Sequence, residues 1–199
     1  MKKIGLFGGT FNPIHCGHLN AAKELLREKL VSEIWFLPAY MHPEKTGKMV
    51  SFEERVEMIK LVLEKNMQIS EFEKDLHLVN GTKNYSVETI RNLKMEYPEY
   101  EFRWIVGENL LDEIPRWEYS NDFLEEVQLI VYPMGIKNLK ELKKNKVVKR
   151  NKSLIAVGVK IQKVSSTEVR EKLKKKEDIK GLVPEKILNY IKRKKLYAK

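Results

Sequence analysis

The sequence predicts an α/β fold with a doubly wound, mainly parallel sheet and a small C-terminal helical piece. Short apolar runs of strand length alternate with longer segments of helical periodicity, as in βαβ units. The first run ends in a glycine pair that leads at once into a helical segment. The 199 residues contain no internal repeat or low-complexity linker, so residues 1–199 should form one domain, with a helical part from about 160 to 199.

Six strand candidates are rich in the β-branched, aromatic and aliphatic residues that favour extended backbone. In chain order they are Lys3–Phe7, Ile34–Leu37, Ile69–Phe72, Glu101–Val106, Gln128–Tyr132 and Leu154–Val159. In a doubly wound sheet, ligands bind beyond the carboxyl ends of the strands. The functional residues are therefore expected in the segments that follow these strands.

Helix candidates lie between the strands and carry apolar stripes or capping patterns. The stripes are Leu19, Ala22, Leu25, Leu26 and Leu30, then Val56, Ile59, Leu63 and Met67, then Val87, Ile90 and Leu93. Ser51 and Glu54 have capping-box spacing, which predicts that the second helix begins there.

Three further helices are expected towards the C-terminus. Leu139 and Leu142 allow a short amphipathic helix inside the Lys-rich stretch Lys137–Lys152. Thr167–Lys175 and Pro184–Lys194 also have helical patterns. Pro184 suits a first helical position, where its missing N–H does no harm.

The positive charge is concentrated in the C-terminal third. Residues 1–136 carry 16 Lys and Arg against 22 Asp and Glu, a net charge of −6. Residues 137–199 carry 22 against 6, a net charge of +16. This asymmetry indicates an anionic partner, for which nucleic acid, an acidic membrane surface and a polyphosphate ligand are candidates. A solvated Lys-rich face is the alternative.

Cysteine content and hydropathy exclude several classes of protein. A single Cys excludes an internal disulfide framework and a thiolate-rich zinc site. The longest apolar stretch, around 34–41, contains Pro38, and no export signal precedes it. We therefore expect a cytoplasmic protein without a membrane partner.

The first predicted strand leads into the string Gly8-Gly9-Thr10-Phe11-Asn12-Pro13-Ile14-His15-Cys16-Gly17-His18. Two glycines after a strand let the backbone approach a ligand, and N–H groups at the next helix start attract phosphate oxygens. His15 and His18 are three residues apart at that start, so both imidazoles can face one anion. A zinc site from His15, Cys16, His18 and His42 is the weaker alternative, because no second ligand cluster follows.

This string resembles the T/HxGH signature of the nucleotidyltransferase superfamily. The resemblance implies a Rossmann-like nucleotidyltransferase fold, with His15 and His18 as catalytic residues at the phosphates of ATP. It also implies ATP contacts from the residues that precede them, which are Gly8, Gly9, Thr10 and Phe11.

A second motif, Val164-Ser165-Ser166-Thr167-Glu168-Val169-Arg170, has the form of a capped helix start, because Ser165 and Glu168 match a capping box. Together with the first motif, it resembles the ISSTxxR signature of the same superfamily. The resemblance implies that Ser165, Ser166 and Thr167 bind ATP. It further implies that Arg170, a third catalytic residue, neutralises the β- and γ-phosphates.

The middle of the chain resembles the bacterial nicotinate-nucleotide adenylyltransferases of that superfamily. The matching segments are Phe36–Ala39 with Lys45, Ser51–Met58 with Arg55, Asn84–Ile90, Gly107–Asn109, Pro115–Trp117 and Leu182–Ile191. The resemblance implies that Gly107 and Asn109 bind ATP. The implied contacts of a pyridine mononucleotide are Thr10, Lys45, Arg55, Tyr85, Ser86 and Trp117. An indole such as Trp117 offers a flat surface to a pyridinium ring, whereas Trp104, within a predicted strand, is expected in the core.

Four positions depart from the family pattern. Asn12 and Asn109 stand where Asp is frequent, and Asn84 and Ser86 stand where Ser and Thr are frequent. We therefore expect no protein metal ligand, with Mg²⁺ held mainly by ATP phosphates and water. The sequence leaves open the choice between nicotinate and nicotinamide mononucleotide. It also leaves open whether the protein forms a homo-oligomer.

The resemblance implies adenylyl transfer from ATP to a pyridine mononucleotide, which gives a dinucleotide and pyrophosphate. Phosphopantetheine adenylyltransferases and glycerol-3-phosphate cytidylyltransferases are alternatives, but they fit the Pro115–Trp117 element and the C-terminal motif less well. A nucleic-acid-binding module is the non-enzyme alternative. Aromatic residues are sparse among its lysines, which argues against nucleic acid as the main partner.

Overall fold

A six-stranded parallel sheet forms the centre of the fold in the computed structural model, which describes residues 1–40, 49–81, 85–134, 139–156 and 162–197. In chain order the strands are β1 (Lys2–Gly9), β2 (Glu33–Pro38), β3 (Met67–Ile69), β4 (Tyr100–Gly107), β5 (Gln128–Tyr132) and β6 (Leu154–Ile155). Their spatial order is β3-β2-β1-β4-β5-β6, and every neighbouring pair is parallel. The order reverses between β1 and β4, where a doubly wound sheet leaves a crevice for ligands. The predicted fold class is confirmed.

Helices cover both faces of the sheet. Within the described residues they are α1 (Cys16–Arg27), α2 (Phe52–Lys60), α3 (Phe72–Asn80), α4 (Ser86–Glu96), α5 (Ser120–Glu126), α6 (Leu139–Lys144), α7 (Lys146–Asn151), α8 (Ser166–Lys174) and α9 (Glu185–Lys194). Helices α1, α2, α8 and α9 share one apolar cluster, and α4 to α7 share the other. Two cores thus form, one on each face, because successive strand residues point to opposite sides.

Most predicted elements are present. The errors occur where an apolar residue fits both the helical and the strand periodicity. The stripe that ended at Met67 was wrong in its last part, because α2 ends at Lys60 and Met67 begins β3. Parallel pairing with Ile34 places Met67 in the sheet. The strand prediction at Ile69–Phe72 was wrong at Phe72, which begins α3.

Three smaller differences concern ends of elements. Leu30 lies beyond α1, which ends at Arg27. The N–H of Leu30 donates to the carbonyl of Leu25 at 3.1 Å and closes the end of the helix. Pro184 is the N-cap of α9 rather than its first helical residue, because its ψ of 151° is extended. The last predicted strand is observed as Leu154–Ile155, and residues 157–159 of it lie outside the described residues.

Three helices, α3, α5 and α7, were not predicted, and the end of α3 carried a readable signal. Gly81 follows α3 with a φ of 64°, and a glycine in this conformation ends many helices. Among the described residues, no helix is long and apolar enough to cross a membrane.

Candidate active site

A cleft of about 980 Å³ opens at the carboxyl ends of β1 and β4, on the face covered by α1 and α8. The described residues that line it include every residue predicted to contact ATP: Gly8, Gly9, Thr10, Phe11, His15, His18, Gly107, Asn109, Ser165, Ser166, Thr167 and Arg170. The two end motifs, about 150 residues apart in sequence, meet directly. The hydroxyl of Ser166 donates to the carbonyl of Pro13 at 2.9 Å.

His15 and His18 cap the start of α1 reciprocally. The backbone N–H of His18 donates to His15 Nδ1 at 3.4 Å, and the N–H of His15 donates to His18 Nδ1 at 3.3 Å. The two rings stack with centroids 3.6 Å apart and planes inclined by 20°. A nitrogen that accepts a hydrogen bond carries no proton, so each neutral ring is protonated on Nε2. Both side chains therefore have an Nε2–H donor available for a ligand.

Burial keeps these two rings neutral. It lowers the pKa of His15 to about 4. It also lowers the pKa of His18 well below its usual value, and a charge on His15 would lower it further. In the cleft at neutral pH, the pair consists of two oriented uncharged donors rather than cations, which suits hydrogen bonding to phosphoryl oxygens.

Close packing leaves no room for larger residues beside the histidines. The Phe11 ring packs edge-on against the His18 ring, with centroids 5.1 Å apart. A Cβ on Gly17 would lie 3.0 Å from the Gln162 carbonyl oxygen and 3.1 Å from the His15 ring. Gly17 of the first motif thus provides the space that the His15 ring needs.

The loop between β1 and α1 is held by side chains from other elements. The Arg55 guanidinium donates to the Thr10 carbonyl at 2.8 Å, and Arg170 donates to the Asn12 carbonyl at 2.7 Å. With Ser166 on Pro13, three polar side chains hold backbone carbonyls of this loop. The Ser166 hydroxyl proton is therefore committed to the protein, and its backbone N–H is the group that can serve an anion.

The start of α8 supplies such N–H groups. Ser165 is the N-cap, and its hydroxyl accepts from the Glu168 N–H at 3.1 Å. The first N–H groups of a helix have no partner within it and attract anions. Arg170 also donates to the Thr167 hydroxyl at 3.2 Å, which orients its guanidinium at the cleft wall.

The residues predicted for the pyridine mononucleotide are not all gathered in this cleft. Thr10 lines it, whereas Arg55 is only 1% exposed and lies under the loop. Tyr85 and Ser86 stand at the start of α4, and Trp117 packs on the core of the opposite face of the sheet. Lys45 lies outside the described residues, as do His42 and Asn84. Trp104 lies in the core, as expected.

Several residues that line the cleft were not predicted as site residues. Those with polar side chains include Asn12, Lys174, Lys195 and Tyr197. No local pattern marks the last two, since they follow the final helix and reach the cleft only through the tertiary fold. Asn12 carried a signal, because it lies inside the first motif.

Comparison with known proteins places the chain in a family. A family model described as cytidylyltransferase-like matches residues 6–172. The chain is 34% identical to the probable nicotinate-nucleotide adenylyltransferase of Clostridium tetani, with 99% of this chain and 100% of that protein covered. It is also 34% identical to the nicotinate-nucleotide adenylyltransferase of Bacillus subtilis, with 99% of each covered. The chain belongs to the nicotinate-nucleotide adenylyltransferase family. The resemblance seen in the motifs is thus confirmed.

Solved structures confirm the fold of this family member. The Plasmodium falciparum nicotinic acid mononucleotide adenylyltransferase complexed with NaAD has a TM-score of 0.81 to this chain at 20% identity. The same protein complexed with APC has a TM-score of 0.80, also at 20% identity. Each match covers 99% of this chain and 98% of the other. The nucleotidyltransferase architecture is therefore shared over the full length.

Proposed function

We propose that this chain transfers the adenylyl group of ATP to nicotinate mononucleotide and releases pyrophosphate. One observation carries the proposal: the cleft brings the reciprocally capped His15 and His18 together with the N-terminus of α8. This arrangement offers neutral donors on one wall and a helix start with Arg170 on the other. Full-length similarity to nicotinate-nucleotide adenylyltransferases supports the choice of acceptor.

The chemistry needs no covalent enzyme intermediate. A phosphate oxygen of the mononucleotide forms a bond to the α-phosphorus of ATP, and the bond from that phosphorus to the bridging oxygen breaks. Pyrophosphate leaves with the bonding electrons. Catalysis then consists of holding the reactants in line and stabilising the charge that develops on the phosphoryl oxygens.

Each wall of the cleft has a part in that task. Nε2–H of His18 donates to an oxygen of the α-phosphoryl group, and Nε2–H of His15 donates to the polyphosphate. The N–H groups at the start of α8 and the Arg170 guanidinium bind the departing pyrophosphate. In this proposal the histidines contribute hydrogen bonds from Nε2–H, and the reaction needs no proton from them.

Mg²⁺ is part of the proposal as the usual companion of ATP. Among the described residues, no group of three or more Asp, Glu, His or Cys residues could hold a metal ion. Asn12 Oδ1 already accepts hydrogen bonds from the Tyr197 hydroxyl and the Val50 N–H. We therefore propose that Mg²⁺ enters with ATP and is held by phosphate oxygens and water.

The mononucleotide would extend from Thr10 across the edge of the sheet towards α4. This path runs from the cleft on one face to Tyr85, Ser86 and Trp117 on the other. The N–H groups at the start of α4 can bind the pyridine carboxylate. Because a helix N-terminus prefers an anion, this contact favours nicotinate over nicotinamide mononucleotide.

Pyrophosphate release tests the proposal directly. The purified chain is assayed with ATP and nicotinate mononucleotide, nicotinamide mononucleotide or phosphopantetheine in parallel. We expect the highest kcat/KM with nicotinate mononucleotide, and activity with phosphopantetheine alone would overturn the proposal.

His18→Ala should lower kcat by about 100- to 1,000-fold with little change in the KM for ATP, because one oriented donor is lost. Asn20→Ala, on the same helix but outside the cleft lining, is the matched control and should keep wild-type kcat.

A further inference from the structure

The end of α9 turns the chain back towards the cleft. The N–H of Lys195 donates to the Lys192 carbonyl at 3.3 Å, and the N–H of Leu196 donates to the Ile191 carbonyl at 3.1 Å. Lys195 has a φ of 51°. These bonds and this φ define a Schellman motif, which reverses the chain direction after a helix. As a result, Lys195, Leu196 and Tyr197, here called the C-terminal strap, line the cleft.

Tyr197 fastens the strap to the loop between β1 and α1. Its hydroxyl donates to Asn12 Oδ1 at 2.8 Å, and the Val50 N–H donates to the same oxygen at 3.4 Å. Asn12 is 4% exposed, and its carbonyl accepts from Arg170. Burial raises the pKa of Tyr197, and the nearby guanidinium groups of Arg170 and Arg55 offset only part of this effect. The phenol therefore keeps its proton and remains a donor at neutral pH.

The strap also completes a group of cations. Arg170 and Lys174, one turn apart on α8, line the cleft together with Lys195 from the strap. The described lining residues include no Asp or Glu. Three cations without a carboxylate suit a ligand of several negative charges, such as the outer phosphates of ATP or pyrophosphate.

We propose that the C-terminal strap is one wall of the triphosphate site, in which Lys195 and Lys174 bind the outer phosphates beside Arg170. Tyr197 is a positioning residue, because its hydrogen bond to Asn12 holds Lys195 at the cleft. This inference rests on the proposed function for the identity of the nucleotide. It goes beyond that function because it assigns phosphate binding to a segment outside both sequence motifs.

Lys195→Gly is the informative variant. Glycine adopts the left-handed conformation of this position without cost, so the turn is retained while the ammonium is removed. Lys192→Met, in the last turn of α9 and exposed, removes the same charge without touching the cleft and serves as the control. Lys195→Gly should raise the KM for ATP and the inhibition constant of pyrophosphate about tenfold, as expected for one charge-assisted contact. The KM for the mononucleotide should not change. Equal effects of the two substitutions would overturn the assignment of Lys195.

Tyr197→Phe tests the positioning role. It removes one hydroxyl and keeps the ring, so we expect a higher KM for ATP at unchanged kcat. Because the freed strap no longer presents Lys195, the effects of Tyr197→Phe and Lys195→Gly should be less than additive in the double variant. Wild-type kinetics for Tyr197→Phe, or full additivity, would overturn this role.

Direct binding separates the strap from the proposed reaction. Calorimetric titration with ATP or pyrophosphate measures the affinity of each variant without any turnover. If the wild-type chain released no pyrophosphate from ATP and nicotinate mononucleotide, the proposed function would fail, while weaker binding by Lys195→Gly than by Lys192→Met would still support the strap. An active wild type whose two variants bind pyrophosphate equally would refute the strap alone.

Discussion

The neutral His15 predicts a specific loss of stability in acid. In the folded protein burial lowers the pKa of His15 from 6.5 to about 4. As the pH falls, the unfolded chain therefore takes up a proton on this residue before the folded protein does. The stabilisation is fully present above pH 6.5 and is lost as the pH falls from 6.5 to about 4.

The pKa difference sets the size of this effect. It corresponds to about 3 kcal/mol in total at about 1.4 kcal/mol per pKa unit, of which about 2 kcal/mol is lost between pH 7 and pH 5. The substitution His15→Asn removes the titrating group and keeps a side-chain oxygen at the N-cap of α1, where Asn is favoured. The wild type should therefore lose about 2 kcal/mol more than His15→Asn over this interval.

Urea unfolding at pH 7 and pH 5, without nucleotide, measures the difference. Other groups also titrate: burial raises the pKa of Glu73 to about 7, which makes the folded state more stable, relative to the unfolded state, as the pH falls. Subtracting the pH dependence of the variant from that of the wild type removes such contributions. Parallel pH dependences in the two proteins would refute the description of His15 as a buried neutral donor.

Two packing predictions follow from the same structure. Gly17→Ala should lower the free energy of unfolding by about 1–3 kcal/mol and reduce pyrophosphate release, because its Cβ meets the Gln162 carbonyl and the His15 ring; a wild-type urea midpoint would contradict this. Leu142→Ala should lower the free energy of unfolding by about 2–5 kcal/mol, since the Leu142 side chain is only 1% exposed. Leu139→Ala should lower it by about 0.5 kcal/mol or less, because Leu139 is 42% exposed. Equal urea midpoints for these two variants would show that α6 does not pack on the sheet.

Most of the fold was predictable because its signals are local. The strand runs, the stripe of α1 and the caps at Ser51 and Ser165 depend on residues within one or two turns of each other. The errors at Met67 and Phe72 arose where a short strand separates two helices, and the pairing of Met67 with Ile34 decided the outcome. Such pairing depends on a residue more than thirty positions away, so no local pattern reveals it.

The sequence by itself determined the chemistry of the site: two glycines at the end of a strand, two imidazoles at a helix start and a capped helix with an arginine. Only the tertiary structure decided how these groups are used. It placed Arg55 under the Thr10 carbonyl 45 positions away, Ser166 on the Pro13 carbonyl 153 positions away, and Tyr197 on Asn12 185 positions away. Local spacing selects which side chains meet within a helix or turn. Contacts across such separations form only when the sheet and its two cores bring distant segments together.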